Sequence, residues 1–260
     1  MLSFLFYIVT FAQKKQKDIH RLQLNLSFDI YDKVNVAVEQ VEVLKGRYSP
    51  SGKFGLNYSY YFKDIVGINM GLAFTIVPHR FGVEHPTAYA ITIFGDSIPN
   101  PDYYDFYKHY VYSIPISVEK RFQLSKKHFL SAQLGTEINF ILNYPYSISI
   151  GGSTGGSATG SYRVFEYSLH QSKSPVIAAF FFKIGYYKQL IKGNTLGFNF
   201  KLNYSPQFLG EGSYKWSNLA YESYGDLKWD INHLGIEMVY GFLPIKNKKK
   251  LKKESEIEKF

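Results

Sequence analysis

The sequence has 260 residues, a formal net charge of +9 and no cysteine, which excludes disulfides and cysteine ligands. Aromatic residues make up 18% of the chain, including 23 Tyr and 22 Phe, and this composition favours β-structure. No stretch of about 18 or more apolar residues follows the N-terminus, which excludes helical membrane spans. Much of the positive charge lies in a C-terminal lysine run without interleaved aromatic residues, so a nucleic-acid partner is not expected.

The N-terminal segment has features of a targeting sequence. A short apolar run ends in Thr10-Phe11-Ala12, which places small residues at the minus-three and minus-one positions of a cleavage site after Ala12. No Lys or Arg precedes the run, so we expect residues 1–12 to be a signal peptide that is either complete or truncated at its start. A first strand is the alternative, but lysines from Lys14 onward would interrupt it.

The rest of the chain repeats one pattern eight times: apolar and polar residues alternate, which places them on opposite faces of a β-strand. In the first segment Leu24 and Leu26 alternate with Gln23 and Asn25. The fourth segment contains Pro115, which cannot donate to a strand ladder and usually marks an edge or a bulge. The sixth segment is apolar on both faces over its first half. The eight predicted strands span residues 22–30, 54–62, 66–76, 110–121, 130–140, 176–187, 196–204 and 234–242.

The connections between these segments alternate in length. Three are short turns, and the other four run to roughly 20 to 35 residues, beyond the usual length of globular loops. Outer-membrane barrels join their strands in this way, with short periplasmic turns and longer external loops. We therefore predict an all-β protein: a closed antiparallel up-and-down transmembrane β-barrel of about eight strands over residues 19–244. An even strand count predicts that both termini are periplasmic, with residues 245–260 as a basic periplasmic tail.

The composition of the polar face predicts which side of each strand contacts lipid. Alternation alone also fits a soluble barrel with an apolar cavity. The polar face is rich in Gly, Asn, Ser and Gln with isolated charges, which suits a filled lumen better than a solvated exterior. Aromatic residues such as Phe62, Tyr110 and Tyr204 crowd the strand ends, where rings prefer membrane interfaces. The apolar faces should therefore point outward into lipid.

Three segments carry a family resemblance: the junction Phe11-Ala12-Gln13, the strand from Tyr112 to Phe122, and the final glycine- and aromatic-rich strand. Together they resemble the small outer-membrane β-barrel domain proteins of the Bacteroidota. The resemblance implies an outer-membrane location and a barrel, but no single activity. The chain departs from the family pattern because Ile245 to Phe260 follow the final strand. In the final strand, the spacing of His233, Gly235, Met238 and Tyr240 resembles a barrel-assembly signal.

Six charged residues on the predicted inward faces could pair across the lumen. A small eight-stranded barrel has room for little beyond its own side chains, and a charge removed from water must be paired. We expect a structural network, with a proton-binding or solute-binding lumen as the functional alternative. The six residues are Glu119, Arg121, Glu137, Lys183, Lys201 and Glu237.

Catalytic and metal-binding patterns are weak. The seven histidines lack the spacing of metal ligands. An enzyme at the barrel rim would need a His beside a Ser or a carboxylate, and the nominal candidates are His109 with Ser113, and His79 or His85 with Glu84. We therefore predict no catalytic residue, no cofactor and no metal.

Several loop segments could contact a partner. Residues Gly151 to Gly160 are glycine-rich but lack the Gly-Lys-Ser/Thr ending of a phosphate-binding loop, so we expect a flexible surface loop. The aromatic stretches Tyr103 to Tyr107 and Tyr214 to Trp216 could contact a partner or a sugar. Packing over the barrel mouth explains them equally well.

The leading functional hypothesis is a non-enzymatic outer-membrane protein with a structural or interaction role through long extracellular loops. The alternatives are a rim-active lipid-modifying enzyme and a narrow pore or solute-binding barrel. The expected partners are outer-membrane lipid, the barrel assembly machinery during biogenesis, and a protein or glycan at the extracellular loops.

Overall fold

The computed structural model describes eight stretches of the chain, and β-strands dominate all of them. The one helical element in these stretches is the 3-10 turn Ile191–Gly193. The predicted signal peptide (residues 1–12) and basic tail (residues 245–260) lie outside the described residues. The described residues are 19–37, 44–62, 65–83, 104–142, 147–153, 163–171, 174–216 and 223–243.

The strands are numbered in chain order. They are β1 Ile19–Tyr31, β2 Asn35–Val36, β3 Leu44–Arg47, β4 Ser49–Phe62, β5 Val66–Val83, β6 Tyr104–Ser125, β7 His128–Ile141, β8 Ser147–Ser153, β9 Arg163–Gln171, β10 Val176–Gln189, β11 Thr195–Tyr204, β12 Gly210–Trp216, β13 Ser223–Trp229 and β14 His233–Phe242.

Eight of these strands close into a barrel. They pair in the order β5-β4-β1-β14-β11-β10-β7-β6, and a pairing between β6 and β5 completes the ring. Every neighbouring pair is antiparallel. Each of the eight predicted segments lies within one of these strands, so the prediction of a closed eight-stranded up-and-down barrel is confirmed.

The two faces of the barrel wall differ sharply in polarity. On β1, Gln23 and Asn25 are buried inside the barrel, whereas Leu24 and Leu26 point outward and are 39% and 50% exposed. A ring of exposed apolar side chains on all eight strands requires an apolar surrounding, and a closed barrel leaves no unpaired strand edge in lipid. The barrel is therefore a membrane-spanning one, with its polar faces in the lumen as predicted.

No helix in the described part of the chain has the length and apolar character needed to cross a membrane.

The two ends of the barrel are different. We call the end with the short connections after β4, β6 and β10 the turn end, and the opposite end the loop end. The barrel starts at β1 and finishes at β14, and these strands pair with Leu22 opposite Phe242 at the turn end. The short connection after β10 is the 3-10 turn, in which Gly193 adopts a φ of 76°. Glycine is suited to this left-handed conformation because it has no Cβ.

Pro115 occupies an unexpected place. It lies in β6, which pairs with β5 on one side and β7 on the other, so it marks neither an edge nor a bulge. The ladder with β5 stops at Ile116 and resumes at Ser113 in the same register, while Pro115 stays paired with Glu137 of β7. The strand tolerates the proline because the interruption is confined to the β5 side.

At the turn end, aromatic side chains fill the lumen where glycines leave room. Tyr61 pairs with Gly67 across β4 and β5, and Tyr187 pairs with Gly197 across β10 and β11. A Cβ on either glycine would overlap the ring of the paired tyrosine. Phe129 stacks on Tyr187 with ring centroids 5.0 Å apart. This buried aromatic layer closes the lumen at the turn end.

At the loop end, strands from the long connections form a second sheet of five strands, in the order β2-β13-β12-β9-β8. We call it the loop sheet. It combines segments from three connections: β2 between β1 and β4, β8 and β9 between β7 and β10, and β12 and β13 between β11 and β14. Strands β5 and β6 extend well past the membrane span at the same end, and β3 pairs with the extended part of β5.

The structure corrects one expectation about the loops, and for one of the aromatic stretches it agrees with the alternative of packing at the barrel mouth. Gly151 to Ser153 lie in β8 and pair with β9, so the first part of the predicted flexible loop is a strand. Tyr214 to Trp216 belong to β12, and Tyr214 is buried in the described structure. The aromatic stretch from Tyr104 to Tyr107 likewise begins β6. In each case a neighbouring strand supplies the backbone hydrogen bonds that the segment lacks alone.

We expect Gly67→Ala to destabilise the barrel by about 1–3 kcal/mol, because the new methyl group must displace the Tyr61 ring in a filled lumen. The free energy of unfolding in urea, followed by the gel mobility of folded and unfolded protein, measures this effect. Gly52→Ala on β4 is the matched control, since the nearest atom to its Cβ would be 3.8 Å away. Equal stability of the two variants would contradict the packing described for the aromatic layer.

A second prediction concerns how deeply two outward-facing leucines lie in the membrane. Leu134, at the middle of β7, and Leu124, beside the β6–β7 turn, are 67% and 57% exposed. We expect Leu134→Arg to cost about 2–4 kcal/mol at the bilayer midplane and Leu124→Arg about 0–1 kcal/mol near the interface. Guanidinium unfolding in liposomes measures both values. Equal costs would contradict the assigned membrane level.

Candidate functional site

The structure places all six predicted lumen residues inside the barrel, where each is at most 6% exposed. They come from β6, β7, β10, β11 and β14, because the alternating pattern turns their positions inward. The structure also brings them within reach of one another in two layers. One layer lies next to the aromatic closure at the turn end, and the other lies nearer the middle of the lumen.

The layer nearer the turn end is organised around Glu119. Its carboxylate accepts hydrogen bonds from Arg121 Nε at 2.9 Å, Tyr61 Oη at 2.8 Å and Asn69 Nδ2 at 3.2 Å. The Arg121 guanidinium also lies 3.5 Å from the ring centroid of Tyr61 and 4.6 Å from that of Phe129. This combination of an ion pair and cation–π contacts compensates both buried charges.

The middle layer contains two linked groups of ions. Glu137 forms an ion pair with Lys53 and lies 3.5 Å from Lys201 Nζ, and it accepts a hydrogen bond from Asn203 Nδ2 at 3.1 Å. Glu237 accepts two hydrogen bonds from Lys183 Nζ, at 2.9 and 2.8 Å. Charge-assisted hydrogen bonds of this kind are the strong ones in proteins.

Asp29 completes the charge balance of this layer. It is buried, accepts hydrogen bonds from Ser27 Oγ at 3.0 Å, and interacts electrostatically with Lys201 and Lys53. The layer therefore sets Asp29, Glu137 and Glu237 against an equal number of lysines. A balanced set of this type needs no counter-ion from solvent.

Little empty space remains between these side chains. A cavity of about 20 Å³ lies among the three lysines, Glu137 and Glu237. This volume accommodates about one water molecule and is too small for a solute. The site can therefore hold the strands together electrostatically, but the cavity among these charged side chains offers no room for a substrate.

Sequence reasoning missed Lys53, Asp29 and Tyr61 as members of this network. Lys53 lies two residues before Gly55, so extending the alternation of the second segment would have turned it inward. Asp29 continues the alternation of Gln23 and Asn25, which places it on the polar face of the first segment. The role of Tyr61 depends on its pairing with Gly67, which only the register of β4 and β5 shows.

The candidate catalytic pair His109 and Ser113 is not assembled. The two residues lie four positions apart on β6, which separates them by about 13 Å along a strand. Ser113 Oγ instead donates to Asn139 Oδ1 at 2.7 Å. The alternative candidates His85 and Glu84 lie outside the described residues. The structure does bring His109 next to His79, with ring centroids 5.4 Å apart.

No family model matches the sequence, and no curated protein matches it significantly. Among solved structures, OprG of Pseudomonas aeruginosa is 12% identical with a TM-score of 0.43, covering 88% of this chain and 99% of OprG. The outer membrane protease OmpT of Escherichia coli is 9% identical with a TM-score of 0.41, covering 87% and 96%. The attachment invasion locus protein Ail of Yersinia pestis is 11% identical with a TM-score of 0.30, covering 86% and 99%. These values are too low to assign an activity, and the barrel described above rests on its own strand pairing.

We expect Glu137→Gln to destabilise the barrel by about 3–5 kcal/mol, because it leaves Lys53 and Lys201 buried without their shared counter-ion. Urea unfolding of the refolded protein measures this loss. Replacing Glu137, Lys53 and Lys201 by Met together with Asp29→Asn should restore most of the stability, since the charges that remain in the layer, Lys183 and Glu237, are paired with each other. Glu211→Gln on the exposed face of β12 is the control and should change the free energy of unfolding by less than about 0.5 kcal/mol.

If the network is structural, a variant loses stability only when it leaves a buried charge without a partner. If Glu137→Gln folds with unchanged stability, the network does not hold the barrel together, and a binding role for the lumen becomes the better account.

Proposed function

We propose that this protein is an integral outer-membrane barrel without enzymatic activity, whose loops present a β-structured surface for interaction or whose body stiffens the envelope. The observation that carries the proposal is the combination of a filled lumen with an ordered sheet above it. The lumen has an aromatic layer and two charged layers, and the loop sheet gathers segments from three separate loops. An ordered surface on a rigid barrel suits recognition.

The solvent-facing side of the loop sheet supports an interaction role. Glu211 and Lys228 pair directly across β12 and β13, and Ser213 pairs with Asp226 in the next row. These four side chains are exposed, whereas Leu227 of the opposite face is fully buried. A polar face with hydroxyl and charged groups fits a protein or glycan partner better than a lipid one.

The filled lumen favours this proposal over a pore or a solute-binding barrel. The cavity among the charged side chains accommodates about one water molecule, and Tyr61, Phe129 and Tyr187 close the turn end. A rim-active enzyme has less support, because His109 and Ser113 point to different partners. The Bacteroidota origin that the sequence resemblance implies stays a prediction.

The proposal includes an orientation and partners for biogenesis. The turn end, with both ends of the barrel sequence, would face the periplasm, and the loop sheet would face the exterior. The exposed apolar belt would contact outer-membrane lipid, and the barrel assembly machinery would insert the chain through its final strand.

The chain has no cysteine, so single cysteines can report this orientation without background. Ser213→Cys lies on the exposed face of the loop sheet, and Ser125→Cys lies exposed at the turn end. On intact cells, we expect a membrane-impermeant maleimide to label position 213 alone. Position 125 should react only after the outer membrane is permeabilised.

Two results would contradict the proposal. Labelling of position 125 alone on intact cells would reverse the orientation. Protection of both positions until the inner membrane is opened would place the protein elsewhere in the cell.

A further inference from the structure

Two buried histidines meet beneath the loop sheet. His79 on β5 and His109 on β6 are 2% and 1% exposed, and both lie beyond the 9 to 11 residues that a tilted strand needs to cross a bilayer. Their ring centroids are 5.4 Å apart, and the rings are inclined by 62°. Trp229, at the end of β13, lies against His79, and the two ring centroids are 5.8 Å apart.

The ring nitrogens of His79 and Trp229 lack hydrogen-bond partners in the described part of the chain. Neither ring nitrogen of His79 makes a hydrogen bond, although both are buried. The Nε1–H of Trp229 is also buried without an acceptor. Buried polar atoms in proteins are nearly always paired, so an unpaired group indicates a bound water or ion that satisfies it. Here a donor and potential acceptors lie unpaired in the same place.

Both side chains are imidazoles buried in the wall of the barrel, and imidazole nitrogen is the commonest protein ligand of transition metals. The neutral ring, with a free nitrogen lone pair, is the ligand form. The neighbouring cation Lys108 is exposed on the opposite face of β6, so it does not point at the pair.

The separation of the rings also fits a shared ion. A metal–nitrogen bond of about 2.0–2.1 Å places the centroids of two imidazoles on one tetrahedral ion roughly 5 Å apart. The observed separation of 5.4 Å is close to this value. Nitrogen ligands exclude Ca²⁺ and Mg²⁺, which take oxygen, and favour Ni²⁺, Cu²⁺ and Zn²⁺.

We propose that His79 and His109 together bind one divalent transition-metal ion of this nitrogen-preferring class. Water molecules fill the remaining coordination positions, and the Trp229 Nε1–H donates to one of them. The ion links the β5–β6 extension of the barrel wall to the loop sheet at the mouth of the barrel.

Copper binding can be followed at the site itself, because Cu²⁺ quenches the fluorescence of a nearby tryptophan. The chain has two tryptophans, so Trp216→Phe leaves Trp229 as the reporter. In metal-free, full-length protein in detergent at neutral pH, we expect saturable quenching that EDTA reverses. His79→Gln and His109→Gln should each raise the half-saturating Cu²⁺ concentration at least tenfold.

Matched variants separate this site from other histidines. His20→Gln with His128→Gln, at the turn end, should leave the quenching curve unchanged. His85→Gln with His170→Gln should also leave it unchanged. If that second pair abolishes quenching while His79→Gln and His109→Gln do not, the metal binds elsewhere and the proposal is wrong. Absence of saturable quenching in the parent protein would mean that the cluster holds water alone.

A measurement on the unmodified sequence covers the case in which a histidine variant fails to fold. The electron paramagnetic resonance spectrum of the protein with one equivalent of Cu²⁺ should show superhyperfine coupling to two imidazole nitrogens. Coupling to one nitrogen or to none would overturn the proposal. Neither measurement depends on the direction in which the barrel inserts, so this test can fail while the proposed function stands.

Discussion

The structure depends on one constraint: a strand in lipid has no water to bond its backbone, so every N–H and C=O must pair with a neighbouring strand. The seam between β1 and β14 meets this constraint, since these strands pair from Leu22 opposite Phe242 to Tyr31 opposite His233. An open sheet would leave two such edges unpaired. Once this seam is closed, successive side chains on each of the eight strands face alternately the lumen and the lipid.

The small size of the ring determines what the lumen contains. An eight-stranded barrel encloses a space that side chains can fill. At the turn end Tyr61 and Tyr187 fill it, and each ring packs over the glycine that pairs with it on the neighbouring strand. Above them, charges of opposite sign cancel through direct contacts such as Lys183 with Glu237. Because a buried charge is costly when alone, each residue of the network is held by its partners, and the network in turn ties distant strands together.

The sequence was sufficient to predict the barrel because alternation is a local signal. The alternation assigns Leu24 to the lipid face and Asn25 to the lumen face. It likewise assigns the charged residues Glu137 and Lys183 to the lumen. The sequence does not show which charged residues pair with each other, because Glu137 contacts Lys53 across the lumen, 84 positions away.

The loop end was harder to predict for the same reason. Its segments are short, and β12 obtains its pairing from β9 and β13, which belong to other parts of the chain. The contact of His79 with His109 follows only from the register of β5 and β6 beyond the membrane, where Val77 lies opposite His109. The sequence separation of His79 and His109 does not indicate that they are in contact, because the contact depends on strand register.

The central claim is that the lumen is closed by its own paired side chains. Recording current across a planar bilayer into which the full-length protein has inserted tests this claim most directly. The account predicts no discrete conductance steps from the parent protein. It also predicts that replacing Tyr61, Phe129 and Tyr187 together by Ala, with Lys53, Glu137 and Lys201 together by Ser, opens measurable steps. Stable ohmic steps from the parent protein would contradict the account.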